Sequence, residues 1–212
     1  MSAPQRLVIA VDGPSASGKG TLAKQLAKHF GLPHLDTGLL YRAVGWLAIT
    51  TGRPPEAIAS SLTPADLVDP KLRSDEAGQQ ASKVAVNPEV RANLLKLQKE
   101  FSSQASGAVL DGRDIGTVIC PDAPVKIFVT ASPEIRAERR YQELRRRGVD
   151  TIKSRVLAEM AERDRRDSER AAAPLKAAPD AWLLDTSDMD ADAAFAAAVA
   201  FIERKGFRAA GP

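Results

Sequence analysis

Nine consecutive residues near the start of the chain, Gly13-Pro14-Ser15-Ala16-Ser17-Gly18-Lys19-Gly20-Thr21, are of types that together suit the wrapping of a polyanion. Glycines let successive backbone N–H groups turn towards an anion without Cβ clashes. A helix beginning at Lys19 would add unpaired N–H groups and the positive end of its dipole. Lys19 carries a mobile charge that can reach the β and γ phosphates of a nucleoside triphosphate. An ordinary glycine-rich turn between strand and helix is the plainer alternative. The lysine at this spacing, between an apolar run and a helical pattern, favours phosphate binding. The residue after Lys19 is Gly20 rather than Ser or Thr, and the hydroxyl arrives one place later at Thr21. Direct metal ligands are therefore unassigned; Thr21, and Asp111 further along, are candidates acting through water.

Other charged groups could handle a second substrate. In Asp36-Thr37-Gly38-Leu39-Leu40-Tyr41-Arg42, Thr37 could cap a helix carrying Tyr41 and Arg42 one turn in. A plain capped helix with a solvated arginine explains that segment equally well. Asp111-Gly112-Arg113-Asp114-Ile115-Gly116-Thr117 follows an apolar run, and ligands in open α/β sheets collect at the carboxyl ends of strands. Asp111 could steer a magnesium-bound water or simply close a turn. Arg113 and Asp114 could pair with each other, but their place at a strand end favours function. Arg145-Arg146-Arg147 before Gly148 reads as a solvated helix end that complements the dipole. In Glu162-Arg163-Asp164-Arg165-Arg166-Asp167-Ser168-Glu169-Arg170, acids interleave with arginines at helical spacing. Alone that would be a salt-bridged surface. Beside a phosphate loop it reads as a lid, since phosphoryl transfer needs added positive charge and exclusion of water.

The elements that must position these groups can be read from apolar periodicity. Leu7 to Val11, His34-Leu35, Ala108 to Leu110, Val125 to Val129 and Trp182 to Leu184 are short runs without polar alternation, as a parallel sheet covered on both faces requires. Helical patterns lie between them, over Lys19 to Phe30, Leu39 to Thr50, Asp75 to Ser103, Pro133 to Arg147, Ile152 to Ala172 and Ala191 to Lys205. Strand alternating with helix predicts a doubly wound α/β domain. Gly31 and Pro33 end the first helix, Ser132-Pro133 starts a later one, and Asp190 caps the last, with Gly206 just past it. The stretch from Gly52 to Pro70 is expected to be a loop between subdomains, and the tail from Phe207 to fray.

Composition narrows the function classes. With 212 residues, 44% hydrophobic and 27% charged, the chain suits one domain with a small subdomain or lid. A net charge of +3 favours anionic ligands but is too mild for a nucleic-acid binder, and aromatics are only 5%. No apolar stretch is long enough to span a bilayer. Met1-Ser2-Ala3-Pro4-Gln5-Arg6 leads into the first strand without a signal-peptide core, and the one cysteine, Cys120, fits a reducing cytosol. Cys120 reads as a small packed residue. His29 and His34 lack metal-ligand spacing and are given no role.

The segments GPSASGKGT, LDTGLLYRA, ASKVAVNPEVRANL, LDGRDIGTVICPDAPVKIFVTAS and ERDRRDSERAAAPL together resemble the bacterial-type cytidylate kinases along nearly the whole chain. The Gly-Lys-Gly-Thr ending is similar to that of nucleoside-monophosphate kinases, which hold magnesium largely through phosphates and water. The resemblance implies a P-loop kinase fold: a five-stranded parallel sheet with helices on both faces, an acceptor-binding insert at about 38–105 and a lid at about 148–172. It implies ATP-dependent phosphorylation of CMP and dCMP with Mg²⁺, giving ADP, by a cytoplasmic monomer without nucleic-acid or membrane partners. ATP would lie on Gly13 to Thr21. The acceptor would lie on Thr37, Tyr41, Arg42, Ser82, Arg91, Arg113, Asp114, Asp167 and Arg170, with Lys19, Arg163 and Arg166 acting on the moving phosphate. Ser82, Arg91 and Asp114 would face cytosine, Arg42 and Arg113 the acceptor phosphate, and Asp167 the ribose. An Asp accepts from the N4 amino group and an Arg donates to N3 and O2, whereas uracil would meet like with like. Between Ser60 and Gly78 no hairpin signal occurs, so an insert of helices and loop is expected.

Overall fold

The apolar runs form five strands in a computed structural model that describes residues 6–209: β1 (Val8–Asp12), β2 (His34–Asp36), β3 (Ala108–Gly112), β4 (Val125–Thr130) and β5 (Trp182–Asp185). All pair in parallel, in the order β2-β3-β1-β4-β5. Every residue of β1 and β3 is buried, as the missing polar alternation predicts. The edge strands differ from that expectation. β2 is half-buried throughout and Leu183 of β5 is 62% exposed, because an edge strand has a neighbour on one side only.

Side chains alternate across each strand, so the sheet has two apolar faces. Ile9, Val11, Ile127 and Val129 pack against α1 (Lys19–Phe30) and a C-terminal helix at Ala191–Arg204 through Leu22, Leu26, Ala198 and Ile202. Val8, Ala10, Ala108 and Leu110 face the other way, towards Ile115, Ile119 and Leu95. Asp190 caps the C-terminal helix, accepting from Ala193 N at 2.8 Å. Phe207 and Ala209 beyond it pack against the first core, so the expected fraying does not begin at Phe207. The N-terminal reading on Met1 to Gln5 and the last three residues lie outside the described residues.

The segment between β2 and β3 is wholly helical among the described residues. It contains α2 (Thr37–Thr51), α3 (Pro55–Ser60), α4 (Asp75–Val84) and α5 (Pro88–Ser102). Two 3₁₀ turns, Pro64–Leu67 and Pro70–Arg73, join α3 to α4. The expected loop over Gly52 to Pro70 is thus corrected. Pro55, Pro64 and Pro70 sit in first turns, where the missing N–H costs nothing, Pro54 stands at the N-cap of α3, and Ile58 of α3 is buried. A small core of Leu40, Val44, Ile58, Ala81, Val90 and Leu94 holds this segment together. The helical pattern over Asp75 to Ser103 breaks before Pro88, and Asn87 caps the second piece through Glu89 N at 2.9 Å.

After β4 come α6 (Pro133–Arg146) and α7 (Lys153–Glu169), with the C-terminal helix as α8 (Ala191–Arg204). Ala137 and Leu144 of α6 pack on Val156 and Met160 of α7. No described helix is long and apolar enough to cross a membrane.

Candidate active site

The parallel register brings Asp12 beside Gly112 and Asp36 beside Asp111, so β1, β2 and β3 end together at one edge. The nine-residue loop leaves β1 at that edge and enters α1. Gly13 has φ +154, and a Cβ there would stand 2.1 Å from Val129 O, so no side chain fits. Gly18, at φ 92, precedes α1. No side chain caps α1 and its first turn carries no acid, which leaves its N–H groups free for an anion. Lys19 Nζ donates to Pro14 O at 3.5 Å, and the lysine lines the adjoining cleft.

That cleft gathers Lys19, Thr37, Tyr41, Ser82, Arg91, Arg113, Asp114, Arg163, Asp167 and Arg170 from five helices and the turn after β3. Loss of water, then the nearby Arg113 charge, pulls Lys19 down to about 7. The same causes in the same order bring Arg163 down to about 9. Buried Ser82 Oγ, Arg91 Nη1, Arg163 Nε and Arg170 Nη2 have no protein partner. Such a group of cations and unanswered polar atoms is costly when empty and is relieved by an anionic, polar ligand.

Two ion pairs divide the cleft. Arg91 Nη2 pairs with Asp114 Oδ2, and Arg113 Nε donates to Asp167 Oδ2 at 2.8 Å. Arg113 and Asp114 therefore turn to different partners rather than to each other. Burial would raise Asp167, but Arg113 and Arg163 hold it below the usual carboxylate range. Arg91 also lies 5.9 Å from the Tyr41 ring centroid, a cation–π contact that orders both side chains.

Residues 162–170 divide between two sides of α7. Arg163, Asp167 and Arg170 recur at i, i+4 and i+7 and line the cleft. Arg165 pairs outside with Glu162 at 2.8 Å and Glu169 at 3.6 Å.

Several residues stand elsewhere than expected. Thr37 does not cap α2; Asp36 does, accepting from Leu39 N at 3.2 Å. The Thr37 hydroxyl instead donates to Asp111 O at 2.8 Å. Arg42 Nη1 donates to Leu72 O at 3.1 Å and Ser74 O at 3.0 Å, outside the cleft lining. Arg166 Nη2 donates to Gln79 Oε1 at 3.1 Å, bridging α7 to α4. Thr21 faces a second cavity, shared with Ser17, Gly18, Arg139, Arg146 and Thr186 on the other flank of α1. Of the three arginines at the end of α6, all exposed as predicted, Arg146 borders this cavity and Arg147 donates to Arg73 O at 2.6 Å.

Three contributors were not read from the sequence. His34 Nε2 lies 2.7 Å from Asp111 Oδ1 and orients that carboxylate. Arg136 spans α7 and the loop after β1, donating to Asp164 Oδ2 at 2.6 Å and Ser15 O at 3.2 Å. Asp12 accepts from Ile115 N and Gly116 N, each at 2.8 Å. Of these, Asp12 left a signal, a charge closing an apolar run just before the glycines.

No group of three or more His, Cys, Asp or Glu side chains among the described residues could hold a metal ion. Magnesium needs no such cluster where phosphates and water supply most of its ligands, with one or two carboxylates. Asp111 is placed for such a contact: its Oδ2 lies 3.6 Å from where a Cβ at Gly20 would stand, so the carboxylate borders the loop.

A family model described as Cytidylate kinase matches residues 9–204. The cytidylate kinase of Xanthobacter autotrophicus (strain ATCC BAA-1158 / Py2) is 58% identical over 204 residues, spanning 94% of this chain and 98% of its own. That of Paramagnetospirillum magneticum (strain ATCC 700264 / AMB-1) is 56% identical, spanning 93% and 98%. Among solved structures, an uncharacterized protein from Eubacterium ventriosum ATCC 27560 gives a TM-score of 0.59 at 17% identity, over 94% of this chain and 99% of that one. A gluconokinase from Sinorhizobium meliloti 1021 gives 0.50 at 18%, over 94% of each chain. At those identities the likeness speaks for the α/β kinase fold alone. Family match and relatives alike run almost from end to end, so the chain is an enzyme and belongs to the cytidylate kinase family.

Proposed function

We propose that the protein transfers the γ-phosphoryl group of ATP to CMP and dCMP, releasing ADP. The observation that carries this reading is the cleft beside Lys19. There a paired arginine and aspartate, Arg91 and Asp114, sit with unanswered donors in a surround of surplus positive charge. Asp114 suits the cytosine amino group, and Arg91 with Ser82 suits its N3 and O2. The second cavity, on the opposite flank of α1, supports a donor nucleotide whose phosphates run along Gly13 to Thr21.

The acceptor phosphate oxygen is itself the nucleophile, so the chain's residues align and neutralise rather than take a proton. Lys19 and Arg163 would carry the charge of the moving group. Arg113 would hold the acceptor phosphate, and Asp167, fixed by Arg113, would lie at the ribose. Arg42 and Arg166 would reach the phosphates only by leaving Leu72, Ser74 and Gln79, which ties their action to closure of the segments at about 38–105 and 148–172. Magnesium bound with ATP would supply positive charge to the phosphates, and Asp111 in the cleft and Thr21 on the second cavity are the residues that would hold its waters. Action as a monomer in the cytoplasm belongs to the same proposal, and the buried free thiol at Cys120 suits a reducing compartment.

The test is ADP formation from ATP and magnesium across a panel of nucleoside monophosphates. CMP and dCMP should stimulate it strongly, and UMP and AMP weakly. A panel in which CMP gives no stimulation rejects the proposal.

A further inference from the structure

We propose that Asp12 is a positioning residue for acceptor recognition, holding the loop that carries Arg113 and Asp114 in register with the phosphate loop. This rests on the acceptor reading of the cleft and adds a residue which that reading does not use.

Asp12 is the last residue of β1 and is only 4% exposed, and the phosphate loop begins at the next position. Its Oδ1 and Oδ2 each accept one backbone N–H, from Ile115 and Gly116, at 2.8 Å. Those are the first two N–H groups of a π-helical turn, Ile115–Ile119, that follows directly after Asp114. Asp114 stands at the N-cap of that turn, and an aspartate there would ordinarily fold back to accept from Gly116 N or Thr117 N itself. It does not: its side chain makes no capping bond, and its carboxylate faces Arg91 instead. Asp12, 103 positions away in sequence, caps the turn in its place. The consequence is a division of labour between two buried carboxylates. One satisfies the backbone, and the other is left free to meet a base.

The arrangement is not an accident of packing. Burial, with the nearby Asp114 charge, raises the Asp12 carboxyl to about 7 even though the Gly116 and Ile115 N–H groups pull it down. A buried carboxylate kept only for stability could be replaced at lower cost by an apolar side chain. Its two oxygens face only N–H donors, so an amide in its place would set a donor against a donor. The freed turn would then compete for the Asp114 carboxylate and draw it away from the base position.

Asp12→Asn separates this role from a merely structural one. Purified Asp12→Asn, checked for folding by thermal melting, should show the KM for its nucleoside monophosphate raised at least tenfold. Its KM for ATP should stay within twofold of the parent, and the preference for CMP over UMP should shrink. Equal shifts of both KM values, or an unchanged acceptor KM, would overturn the proposal. Should that variant not fold, Gly116→Ala decides. Its Cβ would meet Asp12 Oδ2 at 3.4 Å and Lys126 Cδ at 3.2 Å, displacing the turn mildly. A severalfold rise in acceptor KM alone supports the role, and no rise rejects it. The acceptor used is whichever monophosphate the parent enzyme prefers in the panel. A wrong base assignment therefore shows in the parent, and a wrong role for Asp12 only in the variants.

Discussion

The phosphate loop and the acceptor cleft adjoin each other at Lys19, yet they are built on opposite plans. The loop is contiguous, and its binding groups are backbone N–H donors placed by glycine conformations and the open end of α1. The cleft is assembled from distant segments, and its groups are side chains held by long-range pairs. Arg91 and Asp114 are 23 positions apart, and Arg113 and Asp167 are 54 apart. A backbone site tolerates any side chain that permits the turn. A side-chain site depends on every partner being present, because breaking a buried pair leaves an uncompensated charge.

The sharpest way to break this contrast is Lys19→Met. Lys19 is the one side chain the loop plan cannot replace with an amide, so kcat should fall by about 10³-fold or more with the fold intact. A stopped-time assay with a melting control checks it, and an active variant would erase the distinction.

A smaller effect should come from pH on the donor side. Lys19 sits at about 7 when free. A bound triphosphate favours its charged form, so binding takes up a proton above that value. ATP affinity should therefore be full below pH 7 and weaken as pH rises, by up to about tenfold per unit. Titration calorimetry in buffers of different ionisation enthalpy reads the proton uptake. An affinity independent of pH between 7 and 9 would contradict it.

On the acceptor side, Asp114→Ala should reduce the preference for CMP over UMP by about 1–3 kcal/mol while ATP binding stays close to that of the parent. Equal losses for CMP and UMP would show that Asp114 only braces the cleft.

The two plans also explain what could be read in advance. The five strands were legible because buried parallel strands are uninterrupted apolar runs, and the loop because its signal is nine residues long. Helix α3 was not legible, since Pro54 and Pro55 mark a loop as readily as a first turn. In the cleft, Ser82 and Arg91 came only from whole-chain resemblance, while Lys19, Thr37, Tyr41, Arg113, Asp114 and the 162–170 stretch also stood out locally. Thr37 looked like a cap because nothing local announces Asp111 O, which β3 brings alongside. Arg136 was one arginine among many in α6, and only the packing of α7 makes it a bridge to Asp164 and Ser15. The capping of the Ile115 turn from Asp12 has no local trace at all.

Helix α7 is fastened differently along its length. Val156 and Met160 pin its first half in an apolar seat, while its second half is moored through polar side chains, Asp164, Arg166 and Asp167. The Asp164 and Asp167 pairs lie mostly out of solvent, where dissolved ions screen little, so the moored half answers to an anion that competes for their arginines rather than to ionic strength.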